Sequence, residues 1–350
     1  MPAAKHILLL LTLIYAILLV GGTILNRLGP DRWWFGAVNL YLPQVIWLIP
    51  GILLLVLYLF LAPRLIWVPL LCVVWVLGPV MGFCWPLGTG SATAAAKPFR
   101  VMTWNAKYGM REKIRTLELM RELEWNNPDL VLFQDAGGAT LPQSPLMPLF
   151  NGWYLRSVGQ YVIASRHPLS EVREMPLFAP KEKHLCLRCE TEVGGRKLVI
   201  YNVHLQTPRE GLNAFGAVRR TPEFLPFAIS RLQLNVRIRL SQAETVARYV
   251  AQETDPVLLA GDLNSPDPSF SCMLLRNVGL HDAFAQAGKG YGYTYGHFLL
   301  NRRLPWLNYS WMRLDHVMTS HQLQAIRCWT GTKDASDHRP VIADLVWSAK

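Results

Sequence analysis

The sequence predicts an α/β domain carried on a helical membrane anchor, and two observations lead there. Residues 1–96 hold Lys5, Arg27, Arg32, Arg64 and Asp31 as their only lysine, arginine or acidic side chains, against 35 basic and 24 acidic residues in the whole 350-residue chain. The remainder therefore carries 31 basic and 23 acidic residues, +8 of the total +11. In that remainder, strand-like apolar runs alternate with amphipathic stretches, and polar residues recur where the runs end. Such alternation defines α/β architecture, and roughly 250 residues suffice for one large core.

Three spans are predicted in the anchor. Residues 7–26 are free of charge and long enough to cross a bilayer. A cleaved signal peptide is disfavoured, because no small-x-small site precedes Arg27 and more apolar sequence follows. A second span covers about 43–62, with Pro50-Gly51 inside it, and a third about 65–86, with Pro69 and Pro79. Trp33, Trp34, Trp75 and Trp85 are of the type that anchors at a membrane interface. A soluble helix would show a polar face, and these show none. Counted by side, Lys5 and Arg64 stand against Arg27 and Arg32, a tie or a weak vote for a cytoplasmic domain, whereas Lys5 ahead of the first span favours a cytoplasmic N-terminus in an inner-membrane, multi-pass protein, with the large domain extracytoplasmic.

Residues 87–97, Leu-Gly-Thr-Gly-Ser-Ala-Thr-Ala-Ala-Ala-Lys, read as a flexible linker to a domain over 98–350. A strand follows at 99–105, a helix over 111–125 stopped by Asn127-Pro128, and a buried strand at 129–135. Further strands are expected at 161–165, 183–193 and 197–204, the last two joined by Gly194-Gly195 as a hairpin. The Pro- and Phe-rich stretch 207–235 reads as an insertion outside the core, before a helix over 236–253 and a strand from Val257 into a polar turn at Asp262-Leu263-Asn264. Strand-like runs at 313–318 and 341–346 flank Ser336-Asp337-His338-Arg339-Pro340. Among six cysteines, Cys186 and Cys189 fall on opposite faces of a strand, so neither a redox pair nor a metal clip is expected.

The strand ends carry Asn105, Asp135, His204, Asp262 with Asn264, and Asp315 opposite Asp337-His338. Each alone has an ordinary structural role: a capping Asn, an Asx turn, a satisfied core histidine. Recurrence at carboxyl ends of strands, where α/β sheets form their clefts, favours one site. Carboxylate and amide oxygens are hard donors that suit Mg²⁺ or Mn²⁺. A histidine backed by a carboxylate supplies proton transfer, and metal, base and polar donors together are what phosphodiester hydrolysis needs.

Thr103-Trp104-Asn105, Leu132-Phe133-Gln134-Asp135, Asn202-Val203-His204-Leu205, Gly261-Asp262-Leu263-Asn264, Arg313-Leu314-Asp315-His316 and Ser336-Asp337-His338-Arg339-Pro340 resemble the six ordered blocks of the endonuclease/exonuclease/phosphatase superfamily, with its DNase I-like fold. The resemblance covers about residues 98–347. It implies a four-layered α/β sandwich, two packed mixed sheets flanked by helices, and a divalent-metal phosphoesterase. Carried over block by block, it implies Asp135, Asn105 and Asp337 at the metal. His338 becomes the acid-base histidine supported by Asp315, His204 a donor to the phosphoryl or leaving oxygen, and Asp262 and Asn264 the groups that orient nucleophile and phosphate. Asp135 departs from the family's usual Glu, one methylene shorter.

The superfamily's substrates range from nucleic acid to lipid-linked phosphates. Arg219, Arg220, Arg231, Arg237, Arg239, Arg302 and Arg303 suit a phosphate backbone or anionic lipid headgroups. Arg302, Arg303, Trp306 and Trp311 are the expected substrate contacts. Tethering to a bilayer favours a lipid or lipid-linked phosphodiester or pyrophosphate. A tethered nuclease and an inactive scaffold are the alternatives.

Overall fold

A computed structural model describes residues 2–86, 98–107, 113–137, 144–180, 184–218, 220–298, 308–332 and 335–348. The expected linker, Arg219, Arg302, Arg303 and Trp306 lie outside them. The chain divides into two compact units, one comprising Met1–Cys84 and the other nearly all that follows.

The first unit contains α1 (Pro2–Arg27), α2 (Trp34–Tyr41), α3 (Leu48–Leu61) and α4 (Trp67–Trp75). Three stretches are helical, long and apolar enough to cross a membrane: Ala4–Arg27, Gln44–Leu61 and Pro63–Val80. They agree with the expected spans, except that the third ends six residues earlier, in a π-helical turn at Val76–Val80 holding Pro79. Outward side chains such as Leu13, Ile17, Leu53, Phe60 and Leu71 are well exposed, as suits contact with lipid tails. Polar groups within the unit pair with one another: Trp75 Nε1 donates to Thr23 Oγ1 at 3.0 Å, and the Tyr15 hydroxyl donates to the Trp47 carbonyl.

The second unit is built on twelve strands: β1 (Phe99–Asn105), β2 (Leu130–Gln134), β3 (Tyr154–Val158), β4 (Tyr161–Ser165), β5 (Leu169–Leu177), β6 (His184–Val193), β7 (Arg196–His204), β8 (Val257–Asp262), β9 (His281–Asp282), β10 (Asp315–Thr319), β11 (Leu323–Thr330) and β12 (Val341–Trp347). They form two six-stranded mixed sheets, β11-β12-β1-β2-β4-β3 and β5-β6-β7-β8-β10-β9. Among the described strands, β1–β2 and β7–β8 are the pairs that run parallel. Helices α5 (Lys113–Asn126), α6 (Arg209–Val218), α7 (Leu225–Ala251), α8 (Phe270–Asn277) and α9 (Ala283–Ala287) connect or flank the strands.

Alternation along the strands sorts side chains between layers. Met102, Trp104, Val131 and Phe133 pack against Leu119 and Leu123 of α5 on one outer face. Val199, Tyr201, Val203 and Leu259 pack against Ala243, Val246 and Val250 of α7, and Cys272 and Leu275 of α8, on the other. The intervening residues face the opposite sheet, so Asn105, Gln134, Asn202, His204, Asp262 and Asp315 all belong to the inner faces. Four layers result, as expected. Gln134 and Asn202, both fully buried, stitch the sheets: Gln134 Nε2 donates to Asn202 Oδ1 at 2.7 Å, and Asn202 Nδ2 to the Phe133 carbonyl at 3.0 Å.

Two expectations are corrected. The stretch 207–235 is largely helical, and α7 begins at Leu225 rather than near 236, with Ala228, Leu232 and Asn235 buried. Pro226 sits in the first turn, where its missing N–H is not needed. Arg239 is correspondingly no phosphate contact; it is fully buried and donates to the Gln206 carbonyl and Asn235 Oδ1. Cys186 and Cys189 are buried free thiols, and burial pushes each up to about 12, which leaves them poor nucleophiles.

Candidate active site

Two registers converge on Asp262. His204 is its partner across the parallel β7–β8 pair, and Asp315 its partner across the antiparallel β8–β10 pair. Gly261 beside it has φ +150°, and a Cβ there would fall 1.8 Å from the Val203 carbonyl oxygen, so only glycine permits this close pairing. The carboxylate is 1% exposed. Asn105 Nδ2, from the end of β1 in the other sheet, donates to Oδ2 at 3.0 Å. The Asn264 backbone N–H donates to Oδ1 at 2.8 Å. His204 Nε2 and His338 Nε2 each stand 3.6 Å from Oδ2.

Each histidine is held from behind. His338 Nδ1 donates to Asp315 Oδ2 at 2.8 Å, its carbonyl accepts from Trp104 Nε1 at 2.9 Å, and Tyr295 covers the ring at 4.7 Å between centroids. His204 Nδ1 donates to Gln160 Oε1 at 2.6 Å, with Asp135 Oδ1 3.7 Å away. Burial works against charge on His338, but Asp315 and then Asp262 outweigh it and hold the ring at about 10. The buried Asp262 carboxyl is lifted by desolvation, with His338 pulling it back down.

The turn after β8 is fixed by a second polar network. His316 donates from Nδ1 to Asp282 and from Nε2 to the Ser265 carbonyl, both at 3.0 Å. Arg313 NH1 reaches Asp282 at 2.6 Å, and its NH2 meets Asp267 at 2.5 Å. Asp282, although buried, is held below the usual carboxylate range by Arg313 and His316. Asp267, Asp282 and His316 lie close enough to hold a cation, yet the two arginines Arg313 and Arg276 already balance the acids. That cluster reads as a structural ion network.

Among the expected site residues, Asn105, Asp135, His204, Asp262, Asn264, Asp315 and His338 are connected through these contacts. Asp337 is reached by Arg209, whose NH2 lies 3.8 Å from Oδ2. Trp311 is 7% exposed, its ring where a Cβ of Gly296 would stand, which is a packing position rather than a free face. The sequence left three neighbours unmarked. Gln160 comes from a turn before β4, Arg209 from the first residue of α6, and Tyr295 from a Gly-rich stretch, none of which shows a motif or a period.

The donor set fits a hard divalent cation. Oxygens of the Asp262 and Asp315 carboxylates lie within 4.8 Å of one another, hard donors additional to the expected Asp135, Asn105 and Asp337, and Asp315 Oδ1, buried, has no hydrogen-bond partner among the described residues. The Asp135 side chain is 32% exposed and so accessible from the cleft. Its φ of 49°, like the 48° of Asn264, is a left-handed conformation that Asp and Asn tolerate best and that recurs at functional sites.

Stacked mixed sheets ending in carboxylates, amides and two supported histidines define a metal-dependent hydrolase of phosphoric ester bonds. Residues 102–338 match the profile of the Endonuclease/Exonuclease/phosphatase family. The chain belongs to that family. No curated protein matches it. Among solved structures it is similar to an endonuclease/exonuclease/phosphatase family protein from Bacteroides thetaiotaomicron (14% identity, TM-score 0.52, covering 73% of this chain and 99% of that one). The human Nocturnin catalytic domain with bound sulfate anion is similar at 16% identity (TM-score 0.51, covering 72% and 94%). D. rerio TDP2 complexed with a single-strand DNA product is similar at 17% identity (TM-score 0.52, covering 71% and 99%). At these identities the likeness is one of fold.

Three outcomes are expected at the site. Asp315→Asn should lower phosphodiester turnover by about 10²–10⁴-fold, because the amide neither supports the charged ring nor fixes its tautomer. His338 is raised from 6.5 to about 10 in the folded chain, so the stability its charged form adds is complete below pH 6.5 and disappears as pH rises through 10. Melting curves of the wild type between pH 7 and 10 should therefore fall more steeply than those of Asp315→Asn. Asp135→Glu should keep or raise metal affinity measured by calorimetry, and Asp135→Asn should lower it; the reverse order would remove Asp135 from the metal site.

Proposed function

We propose that this protein is a membrane-anchored phosphoesterase that hydrolyses a phosphodiester or pyrophosphate bond in a lipid or lipid-linked substrate, with Mg²⁺ or Mn²⁺ held by Asp135, Asn105 and Asp337. One conjunction carries the reading: the Asp315–His338 pair facing Asp262 at 3.6 Å, in a chain with three helices long and apolar enough to span a membrane. The cation, when bound, supplies positive charge that polarises phosphoryl oxygens and lowers the proton affinity of nearby groups.

The remaining work falls to the chain's own side chains. Asp262, anchored by Asn105 and the Asn264 N–H, orients a nucleophilic water or the phosphate in front of both histidines. His338, charge-supported by Asp315, exchanges a proton at Nε2. His204 presents its own Nε2 to the same cleft, its ring fixed by Gln160, and donates to a phosphoryl or leaving oxygen. Arg209 beside Asp337 adds a cation near the entrance.

Full-length protein in vesicles, offered polyprenyl pyrophosphate, phospholipids and duplex DNA with Mg²⁺ or Mn²⁺, should turn over a lipid in a metal-dependent way, and His338→Ala should abolish it. Cleavage of DNA alone, lost in the same variant, would instead make it a tethered nuclease. Metal-dependent turnover of none would leave a scaffold. Lys5 ahead of the first span further supports an inner-membrane protein with its catalytic domain outside the cytoplasm. An alkaline phosphatase reporter fused after Lys350 should accordingly be active, whereas a silent reporter with an active cytoplasmic counterpart would reverse the orientation.

A further inference from the structure

We propose that the tip joining α6 and α7 is a docking surface by which the catalytic domain enters the interface of an anionic lipid leaflet. Phe224 is 48% exposed, Leu225 40%, Phe227 56% and Leu234 47%. The two phenylalanine rings meet edge to face at 6.2 Å, so they form one apolar knob rather than scattered side chains. Phe227 and Leu234, seven residues apart, share one face of α7. The opposite face is already spent on the core through Ala228, Leu232 and Val236. The first half of α7 thus carries a second, short apolar stripe, Phe227 and Leu234 with Ser230 and Arg231 between them, that stays largely exposed among the described residues.

Lipid is the occupant that the rest of the chain supports. Three helices of membrane-spanning character precede this domain on the same polypeptide. The eleven residues 87–97 can extend to at most roughly 36–40 Å, so the domain never strays far from a bilayer surface. Exposed Arg220 and Arg237 flank the stripe, against Glu223. The sequence from residue 97 onward carries a net +8, which favours an anionic surface. Aromatic and aliphatic side chains on one face with arginines beside them are what lies in an interface plane. The tip lies at one end of α6, and the other end of that helix, Arg209, reaches Asp337. A docked tip would hold that wall of the cleft against the headgroups. The inference rests on the membrane-proximal reading given above, but its test does not depend on turnover.

Full-length Cys84→Ser protein, bearing Phe227→Cys labelled with an environment-sensitive fluorophore, is placed in phosphatidylcholine/phosphatidylglycerol vesicles. Trp125→Cys serves as reference; Trp125 is 86% exposed on α5, on the opposite outer layer. The label at 227 should shift to the blue and lose intensity when doxyl-labelled phosphatidylcholine is included, and the label at 125 should do neither. Identical, water-like emission at both positions would overturn the proposal. So would a blue shift at 227 that doxyl lipid does not quench, since a protein or a second copy of this chain would then be the cover. Because quenching reads contact and not hydrolysis, absence of lipid turnover would defeat the functional reading and leave this result standing.

Discussion

Asp262 is a carboxylate taken almost wholly out of water, and the rest of the site exists on terms it sets. Such a group is tolerated only if its oxygens are met by donors or by charge. Here it is met from three directions: an amide donor from the other sheet, a backbone N–H from its own turn, and, at 3.6 Å, histidines from two neighbouring segments. None is near another in sequence. The sheets must therefore pack with the ends of β1 and β8 facing each other before the carboxylate is satisfied, and the Gln134–Asn202 bridge one step deeper holds that alignment. Fold and site share one constraint.

The two histidines differ in what stands behind them, and that difference divides their chemistry. His338 leans on a carboxylate, which supports positive charge on the ring; His204 leans on a carboxamide, which fixes orientation and adds no charge. A pair of identical rings flanking one carboxylate would compete for the same proton. An asymmetric pair can hold one ring ready to exchange a proton while the other serves as an oriented polar contact. Tyr295 over His338 excludes water from the charged ring and makes its dependence on Asp315 greater.

Much of this was legible because strand ends announce themselves. An apolar run that stops on a polar residue marks both the strand and the cleft, and Asn105, Asp135, His204 and Asp262 stand at such ends, whereas Asp315 opens its strand. What lay hidden had no such edge. Strands β3 and β5 expose most of their residues, so they lack the buried run that flags a central strand. Gln160 and Arg209 enter from a turn and a helix start, where only the assembled fold brings them near the histidines. The stretch 207–235 misled because proline and phenylalanine density reads as a break, while proline in a first helical turn costs nothing. Arg239 misled for a related reason: an arginine looks like surface until its helix face is known.

The division of the chain also bears on which bond is broken. All of the acid–base apparatus falls between residues 105 and 338, and the anchor's only acid is Asp31. Hydrolysis consumes water, so it belongs at the mouth of a soluble sandwich rather than within apolar helices. In the proposed reading the phosphate is carried by a lipid, anchored in the bilayer yet hydrated. In that reading, anchoring the enzyme in the same bilayer confines both reactants to one thin layer and raises their effective concentration without any new contact. For a freely diffusing nucleic acid the anchor adds nothing of the kind. The lipid reading gives the first ninety-odd residues a physical purpose in the reaction that the soluble domain performs.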